Sequence, residues 1–340
     1  MKITSKKVDD LNQILTVNVA AEDYEQPRKK KLNELQKKAE VPGFRKGKVP
    51  ASLIEKWYGE SALGEAVNTV VGEALQNYVN EKKLNIIGEP LPVETKQEQD
   101  WKAGNDFKFQ FEIGLTPEIN LEFAKSDELP YYSVTISADE KKKLADGYRK
   151  QQEAAEAAAK EQGQEAPAAM SDEELAKQVE EQLKNDYKQA AEFRFEKDVK
   201  DFCVAKANVS VPEKFLRRWL IVANEGKLTE EDVDKDFPGF IEDYKWQLCM
   251  SALTKKFEIK LDEKDLTEEA KNFARYQYAM YGIMNAPEDA LESFAKNILQ
   301  DQNNFQRIVE NVQAKKVIAA VKEQITVKSK KISAEKFREL

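Results

Sequence analysis

Histidine is absent from this 340-residue chain, and its absence removes several classes of chemistry. Without an imidazole, no Ser-His or Cys-His pair can be assembled to activate a nucleophile. Zinc sites with imidazole ligands are excluded for the same reason. Hydrolases of the usual triad type and zinc enzymes with histidine ligands are therefore not among the functions that this sequence can have.

Cysteine is scarce and long hydrophobic runs are missing. Cys203 and Cys249 both lie in apolar helical patterns, so we interpret them as reduced core thiols rather than as a disulfide. The N-terminal sequence MKITSKKVDD lacks the apolar core of a signal peptide. The longest apolar run, WLIVA at 219–223, is far too short to cross a bilayer. We therefore expect a cytoplasmic protein that does not bind a membrane.

Other chemical motifs are missing or incomplete. No glycine-rich loop of the P-loop or dinucleotide type occurs, so we expect no ATP-driven work and no cofactor. The alternating acids at 232–236 suggest a calcium loop, but Phe237 stands where the sharp turn needs glycine. Ser293 and Lys296 share a helix face, yet the companion motifs of serine–lysine acyl transferases are absent. The sequence therefore predicts no catalytic residue and no metal site.

What the chain has in abundance is charge. Charged residues make up 34% and hydrophobic residues 41%, a combination that favours a folded protein built from long amphipathic helices. The net charge of −8 disfavours general nucleic-acid binding. The exception is the segment 28–48, which holds nine Lys or Arg residues and two acidic ones. Only this basic patch could reach RNA.

The first 118 residues are predicted to form a small α+β domain. Residues 11–19 and 107–115 alternate apolar and polar side chains, as is typical of strands. Residues 21–40 predict a basic helix with a proline in its first turns, and two separate helices are predicted within 51–84. A loop rich in glycine and proline joins the basic helix to the next one.

The remaining sequence falls into three segments that differ in composition and in predicted secondary structure. Residues 119–149 predict a strand and a linker that join the domains. Residues 150–170 are rich in Ala, Glu and Gln and predict a semi-rigid spacer or an exposed helix. Ser171 and Glu174 have the spacing of a capping box, and the signals from there on are helical. We therefore expect 171–340 to be a mainly α-helical domain.

Residues 40–53, EVPGFRKGKVPASL, place Phe44 among cations in a loop full of helix breakers. One interpretation is a tight connection between helices whose lysines only keep it solvated. The other is a binding surface, since the flanking glycines would let the backbone turn and present Phe44, Arg45 and Lys46 together. An exposed ring can anchor in a pocket, and cations can steer toward an acidic or phosphate-rich partner. The residues by themselves leave both interpretations open.

This loop resembles the ribosome-docking signature of bacterial trigger factor, G-F-R-x-G-K-x-P, at every fixed position. The resemblance continues in GEPLP at 88–92, in VSVPEKFL after residue 208 and in ARYQYAMYG after residue 273. It implies a chaperone that docks beside the ribosomal exit tunnel. It also implies that the central triplet contacts a ribosomal protein and that nearby cations touch rRNA. The candidate ribosome-binding residues are Gly43, Phe44, Arg45, Lys46, Gly47, Lys48 and Pro50.

For the C-terminal half, the resemblance implies an elongated helical body with two arms that cradle unfolded nascent polypeptides through weak contacts. Docking would raise the effective concentration of such a cradle at the tunnel mouth. Each candidate residue could equally pack the small core of an arm. The candidate client-binding residues, which are aromatic or Met side chains with loose periodicity, are Phe215, Trp219, Tyr276, Tyr278, Met280, Tyr281 and Met284.

One feature departs from the family pattern. Trigger factors usually carry a prolyl isomerase domain of roughly a hundred residues after the strand that matches 129–136. Here only residues 137–170 separate that strand from the capping box, without the aromatic set that lines a proline pocket. So short a segment cannot build a sheet with its own core. We therefore predict that the isomerase domain and its activity are absent.

Two alternatives of other classes stay open. The first is a residual prolyl isomerase, which a peptide-turnover assay would reveal. The second is an assembly scaffold that binds no unfolded clients, such as a homodimer that buries its arms. Such a scaffold would not suppress aggregation of a denatured protein. The expected partners are otherwise the ribosome and unfolded nascent chains, and the resemblance also implies links to protein transport and cell division.

Overall fold

The computed structural model describes residues 1–93, 99–161, 170–283 and 285–340. The chain forms two compact units, one of Met1–Glu118 with Val209–Glu242 and one of Ile119–Asn208 with Asp243–Leu340. The predicted fold class is confirmed, since an α+β region is followed by a mainly helical one. The elements are, in chain order, β1 (Lys2–Lys7), β2 (Asn12–Val19), α1 (Ala21–Lys38), α2 (Ala51–Glu81), β3 (Ile86–Pro92), β4 (Phe107–Leu115), β5 (Glu128–Thr135), α3 (Ala138–Glu161), α4 (Asp172–Ala207), α5 (Glu213–Ala223), α6 (Glu230–Lys256), α7 (Glu263–Met280), α8 (Glu288–Gln300), α9 (Gln302–Gln324), β6 (Thr326–Ser333) and α10 (Ala334–Arg338).

The first unit contains an antiparallel sheet with the strand order β1-β2-β4-β3. The two central strands are those that the alternation predicted, and they pair from Asn12 opposite Gly114 to Val19 opposite Phe107. The sequence analysis missed both edge strands. β1 is rich in lysine, and β3 contains a glycine and two prolines, so neither shows clean alternation. Such residues are typical of edges, where they prevent pairing with another chain.

The core of the first unit lies between this sheet and α2. Leu15, Val17 and Val19 point to one face of the sheet, and the apolar stripe of α2 packs on them. The prediction of two helices within 51–84 was wrong, because α2 is a single helix. Gly59 lies inside it, and glycine costs a helix only about 1 kcal/mol. Packing on both sides of the glycine outweighs that penalty, since Ile54 packs in a core with α1 and the residues from Leu63 onward pack on the sheet.

Helix α5 packs on the opposite face of the sheet. Gly114 leaves room for the ring of Phe215, whose Cδ1 lies 2.6 Å from the position that a Cβ of Gly114 would take. In the same way the indole of Trp219 occupies the space beside Gly88. Arg218 pairs with Glu112 and donates to the carbonyl of Pro92 at 3.2 Å. Two glycines and one ion pair therefore position α5 on the sheet.

The second unit contains a parallel pair of strands and a helical hairpin. β5 and β6 pair from Glu128 opposite Thr326, although they are almost two hundred residues apart in the chain. α3 and α4 run antiparallel and are joined by the ion pairs Lys141–Glu180 at 3.1 Å and Arg149–Asp172 at 2.8 Å. Of the spacer predicted at 150–170, the first part continues α3 to Glu161 as a helix. Residues 162–169 lie outside the described residues.

Local helix signals of the second unit were predicted well. The capping box is confirmed, since Glu174 donates its backbone N–H to the Ser171 hydroxyl at 3.3 Å. The serine backbone N–H in turn donates to the Glu174 carboxylate at 3.0 Å. Asp301 ends α8 and caps α9, where its carboxylate accepts from the Asn304 backbone N–H at 2.9 Å. α7, α8 and α9 share a small core of Ala270, Ala295, Ile298, Ile308 and Val312.

Two kinds of feature are absent from the residues that the structure describes. No helix there combines the length and the apolar character needed to cross a membrane. No group of three or more His, Cys, Asp or Glu side chains in the same part of the chain is placed to hold a metal ion.

Candidate functional site

The loop that the sequence analysis singled out connects α1 to α2. α1 ends because the backbone of Ala39 becomes extended, with its N–H still bonded to the carbonyl of Leu35 at 2.8 Å. α2 begins directly after Pro50, whose fixed φ suits the entry to a helix. Residues 39–50 therefore form the connection, which we call the docking loop.

Two glycines and two turns shape the tip of the docking loop. Gly43 has a φ of 90° and Gly47 a φ of 74°, values in the left-handed region that side chains disfavour. The backbone N–H of Phe44 donates to Val41 at 3.0 Å, and that of Lys48 donates to Arg45 at 2.9 Å. These two turns place Phe44, Arg45 and Lys46 together at the tip.

The base of the docking loop is anchored while its tip stays free. Val49 and Ile54 are buried with Ala39 in a small core, against which Leu32, Leu35, Val41 and Leu53 also pack. Gln36 donates its side-chain amide to the carbonyl of Val49 at 2.6 Å. The ring of Phe44, by contrast, remains 41% exposed, and Arg45, Lys46 and Lys48 are exposed as well. The loop thus holds one ring and several cations outward on a fixed base.

Several of the nine cations between residues 28 and 48 are already paired. Ion pairs join Arg28 to Glu55, Lys29 to Glu25, Lys31 to Glu65 and Lys46 to Glu40. The hydrogen bond that Lys31 donates to Glu65 raises the pKa of Lys31, and the one that Lys29 donates to Glu25 lowers the pKa of Glu25. Within the described residues, the cations without an acidic partner are Lys30, Lys37, Lys38, Arg45 and Lys48. These five can meet phosphates or carboxylates without first breaking an ion pair.

The candidate client-binding residues are split between the two units. Phe215 is fully buried in the first unit, where Gly114 makes room for its ring. It therefore cannot be part of an exposed client-binding surface. Trp219 is half-buried against Gly88. Its α-helical spacing with Phe215 is explained by packing on the sheet. The expectation that both side chains face a client is thus corrected for Phe215 and weakened for Trp219.

In the second unit, the C-terminal end of α7 leaves a group of large apolar side chains uncovered. Tyr276, Met280 and Tyr281 are 62%, 69% and 82% exposed, and their spacing places them around the last turn. Tyr278 is half-buried, with its ring 5.7 Å from that of Phe294. Met284 lies outside the described residues. We call Tyr276, Met280 and Tyr281 the α7-end cluster.

The sequence analysis missed two exposed aromatic residues on α2. Trp57 and Tyr58 are 48% and 38% exposed shortly after the docking loop. The local sequence gave no signal that distinguishes them, since Val70 and Val71, which are also adjacent on α2, are both buried. Phe273 and Ile283 near the α7-end cluster are also exposed and were not among the candidates.

Two family models match the chain. The model described as bacterial trigger factor protein matches residues 1–148. The model described as the probable trigger factor C-terminal domain matches residues 191–340. The two matches together take in most of the chain and leave residues 149–190 between them.

Curated relatives match over shorter stretches. The trigger factor of Glaesserella parasuis serovar 5 is 34% identical over 152 residues, which are 45% of this chain and 34% of that protein. The trigger factor of Jannaschia sp. is 34% identical over 146 residues, or 43% of this chain and 33% of the relative. The matched stretch therefore spans only about a third of the length of these relatives.

A solved structure shares the fold. It concerns promiscuous substrate recognition in the folding and assembly activities of the trigger factor chaperone. The superposition has a TM-score of 0.53 at 15% sequence identity and covers 94% of this chain and 99% of the other. At 15% sequence identity, the similarity shows a shared fold and nothing about function.

Proposed function

The chain belongs to the trigger factor family, and we propose that it is an ATP-independent chaperone that docks at the ribosomal exit tunnel and shields nascent chains. The observation that carries the proposal is the docking loop, whose anchored base holds Phe44, Arg45 and Lys46 at an exposed tip. An alternative in which the loop only connects two helices gives no reason for an exposed ring between two positive-φ glycines.

Docking would use the ring and the cations for different purposes. The exposed part of the Phe44 ring can enter a pocket on a ribosomal protein, and its burial contributes about 1 kcal/mol. The five unpaired cations supply attraction to rRNA phosphates and acidic side chains, which speeds the encounter. We therefore expect an attachment that weakens as the salt concentration rises.

Client binding would use exposed apolar side chains such as the α7-end cluster. Unfolded chains expose short apolar patches, and a few exposed rings give weak contacts that release quickly. Docking compensates for that weakness, because it raises the effective concentration of the chaperone near each emerging chain. A cytoplasmic location follows from this role.

We further propose that prolyl isomerase activity is absent. Residues 149–190, between the two family matches, contain the end of α3 and the start of α4, whose helices pack on each other. A helical hairpin offers neither the sheet nor the pocket of an isomerase domain. Turnover of a proline peptide clearly above the uncatalysed rate would contradict this proposal.

The docking proposal is tested by pelleting ribosomes with the protein. The variant with Phe44→Ala, Arg45→Ala and Lys46→Ala should lose co-sedimentation, because it lacks the ring and both tip cations. A matched control with Lys6→Ala and Lys7→Ala removes two exposed cations from β1 and should pellet like the parent protein. Equal pelleting of the triple variant and the parent would refute docking through this loop.

A further inference from the structure

A cleft beside the docking loop has no role in the function described so far. It lies between α1 and α2 and encloses about 300 Å³. Leu32, Ala51 and Ile54 are the apolar residues that line it, and Lys29, Asn33, Gln36 and Glu55 line it with polar side chains. This volume is at the lower limit for a ligand pocket, so it suits one large side chain better than a whole small molecule.

The cleft and the docking loop share one rigid base. Ile54 lines the cleft and also belongs to the small core that buries Val49. Gln36, which also lines the cleft, donates its side-chain amide to the carbonyl of Val49 at 2.6 Å. Val49 directly follows Lys48 of the docking loop. A partner seated on the tip is therefore held at a fixed distance from the cleft.

Charge near the cleft favours an acidic occupant. The charged residues that line it are already paired, Lys29 with Glu25 and Glu55 with Arg28. Lys37 lies one turn beyond Asn33 on α1, and Lys48 precedes Val49. Neither lysine has an ion-pair partner within the described residues. An apolar cleft with unpaired cations beside it complements an apolar side chain within an acidic segment.

We propose that the cleft receives an apolar side chain from an acidic surface segment of the ribosomal protein against which Phe44 docks. This inference rests on the proposed function. The attachment then has two anchors, one in which the chain inserts Phe44 into its partner and one in which the partner inserts a side chain into the chain. Two anchors fix an orientation that a single ring could not.

The test fills the cleft without altering the docking loop. Ala51→Phe and Asn33→Trp each place an aromatic ring in the cleft from one of its walls. Both positions are exposed, so the fold should tolerate the change. A filled cleft can no longer bury the side chain that the partner inserts. The loss of that contact should weaken co-sedimentation with ribosomes at least about tenfold. Asn68→Phe adds a ring at an exposed position of α2 away from the cleft and should pellet like the parent protein.

The outcomes separate this inference from the docking proposal. If both filling variants pellet like the parent while the triple alanine variant does not, the cleft inference is wrong and docking stands. If the triple alanine variant also pellets like the parent, both fail.

A benzophenone side chain at position 52 provides a second measurement for the case that a filling variant unfolds early. Ser52 is exposed and adjacent to Ala51 but does not line the cleft, so the probe leaves the cleft open and should crosslink to a ribosomal protein when ribosomes are irradiated with the labelled chain. A crosslink to rRNA, or none at all, would overturn the inference.

Discussion

At the scale of single residues, Gly43 controls the shape of the docking loop. Its φ of 90° is a conformation in which a residue with a Cβ is strained by roughly 1–2 kcal/mol. No heavy atom lies within 4 Å of the position that its Cβ would take. A substitution there would therefore act through the backbone alone, without a steric clash. That separation makes Gly43 a clean test of the loop geometry.

Gly43→Ala should destabilise the protein by about 1 kcal/mol and weaken ribosome binding, because the strained residue pulls the tip out of shape. Urea unfolding and ribosome pelleting measure the two effects. Gly72→Ala is the control, since Gly72 lies in α2 with nothing within 4 Å of its Cβ position. It should raise stability by about 0.5–1 kcal/mol. Parent-like behaviour of Gly43→Ala would show that the positive φ is dispensable.

The two cysteines are core residues without reactivity. Both are fully buried, and the Cys249 thiol donates weakly to the Cys203 carbonyl at 3.9 Å. Burial raises the pKa of Cys203 to about 12 and that of Cys249 to about 11. The thiolate, which is the nucleophilic form, is therefore suppressed at neutral pH.

A thiol reagent at pH 8 should leave both cysteines unlabelled in the folded protein and label both in urea. The raised pKa values also predict a pH dependence. The contribution of each buried thiol to the free energy of unfolding is fully present below the unfolded pKa near 9. It is lost as the pH rises toward about 11 for Cys249 and about 12 for Cys203. Urea unfolding at pH 8 and pH 10 measures the effect. Between these two pH values the free energy of unfolding should decrease less for the Cys203→Ala, Cys249→Ala variant than for the parent protein. Rapid labelling of the folded protein would contradict this account.

At the scale of elements, the contact of α5 with the sheet depends on missing side chains. Phe215 and Trp219 lie one turn apart on α5 and meet Gly114 and Gly88 on two neighbouring strands. The two glycines let the rings approach the strand backbones closely, on a face that also buries Ile87 and Leu91. Phe215 and Trp219, which the sequence analysis proposed as client-binding residues, therefore pack within the first unit.

Gly114→Ala should destabilise the protein by about 1–3 kcal/mol, because its Cβ would lie 2.6 Å from the Phe215 ring. Thermal unfolding measures the effect. Adding Phe215→Leu should recover part of the loss, since the smaller side chain removes the clash. Gly147→Ala, with nothing within 4 Å on α3, should not destabilise. If Gly114→Ala is as stable as the parent, α5 does not pack as described.

At the scale of the whole molecule, the chain passes between its two units more than once. The first unit needs Val209–Glu242 in addition to Met1–Glu118, and α6 contributes residues to both units. We propose that the docking role belongs to this first unit with α5 included, and that the client role belongs to the second. The docking loop and the α7-end cluster lie in different units, so each can be altered separately.

The variant with Tyr276→Ser, Met280→Ser and Tyr281→Ser should suppress aggregation of a denatured test protein less well and still pellet with ribosomes. The triple alanine variant of the docking loop should fail to pellet with ribosomes. In the aggregation assay, which contains no ribosomes, it should suppress aggregation like the parent protein. Light scattering and pelleting measure the two activities. If the parent protein itself fails to suppress aggregation, a scaffold without client binding becomes the better interpretation.

Features that one contiguous stretch encodes could be predicted from the sequence. The alternation of β2 and β4, the capping box at Ser171 and the docking loop all depend on residues within a few positions of one another. The edge strands escaped prediction because their residues serve to discourage pairing. The break predicted within α2 was wrong because two elements outside the local sequence hold the helix on either side of Gly59, namely α1 before it and the sheet after it.

The amino-acid sequence by itself excluded histidine chemistry, singled out the segment at 40–53 as a candidate binding loop and predicted an α+β region followed by helices. Only the tertiary structure decided which apolar side chains are free. Phe215 and Tyr276 carry similar local signals, yet Phe215 is buried and Tyr276 is exposed. The difference arises because a glycine far away in the chain makes room for one ring, whereas no described element covers the other. Burial is a property of pairs of distant residues, and periodicity along one helix cannot specify it.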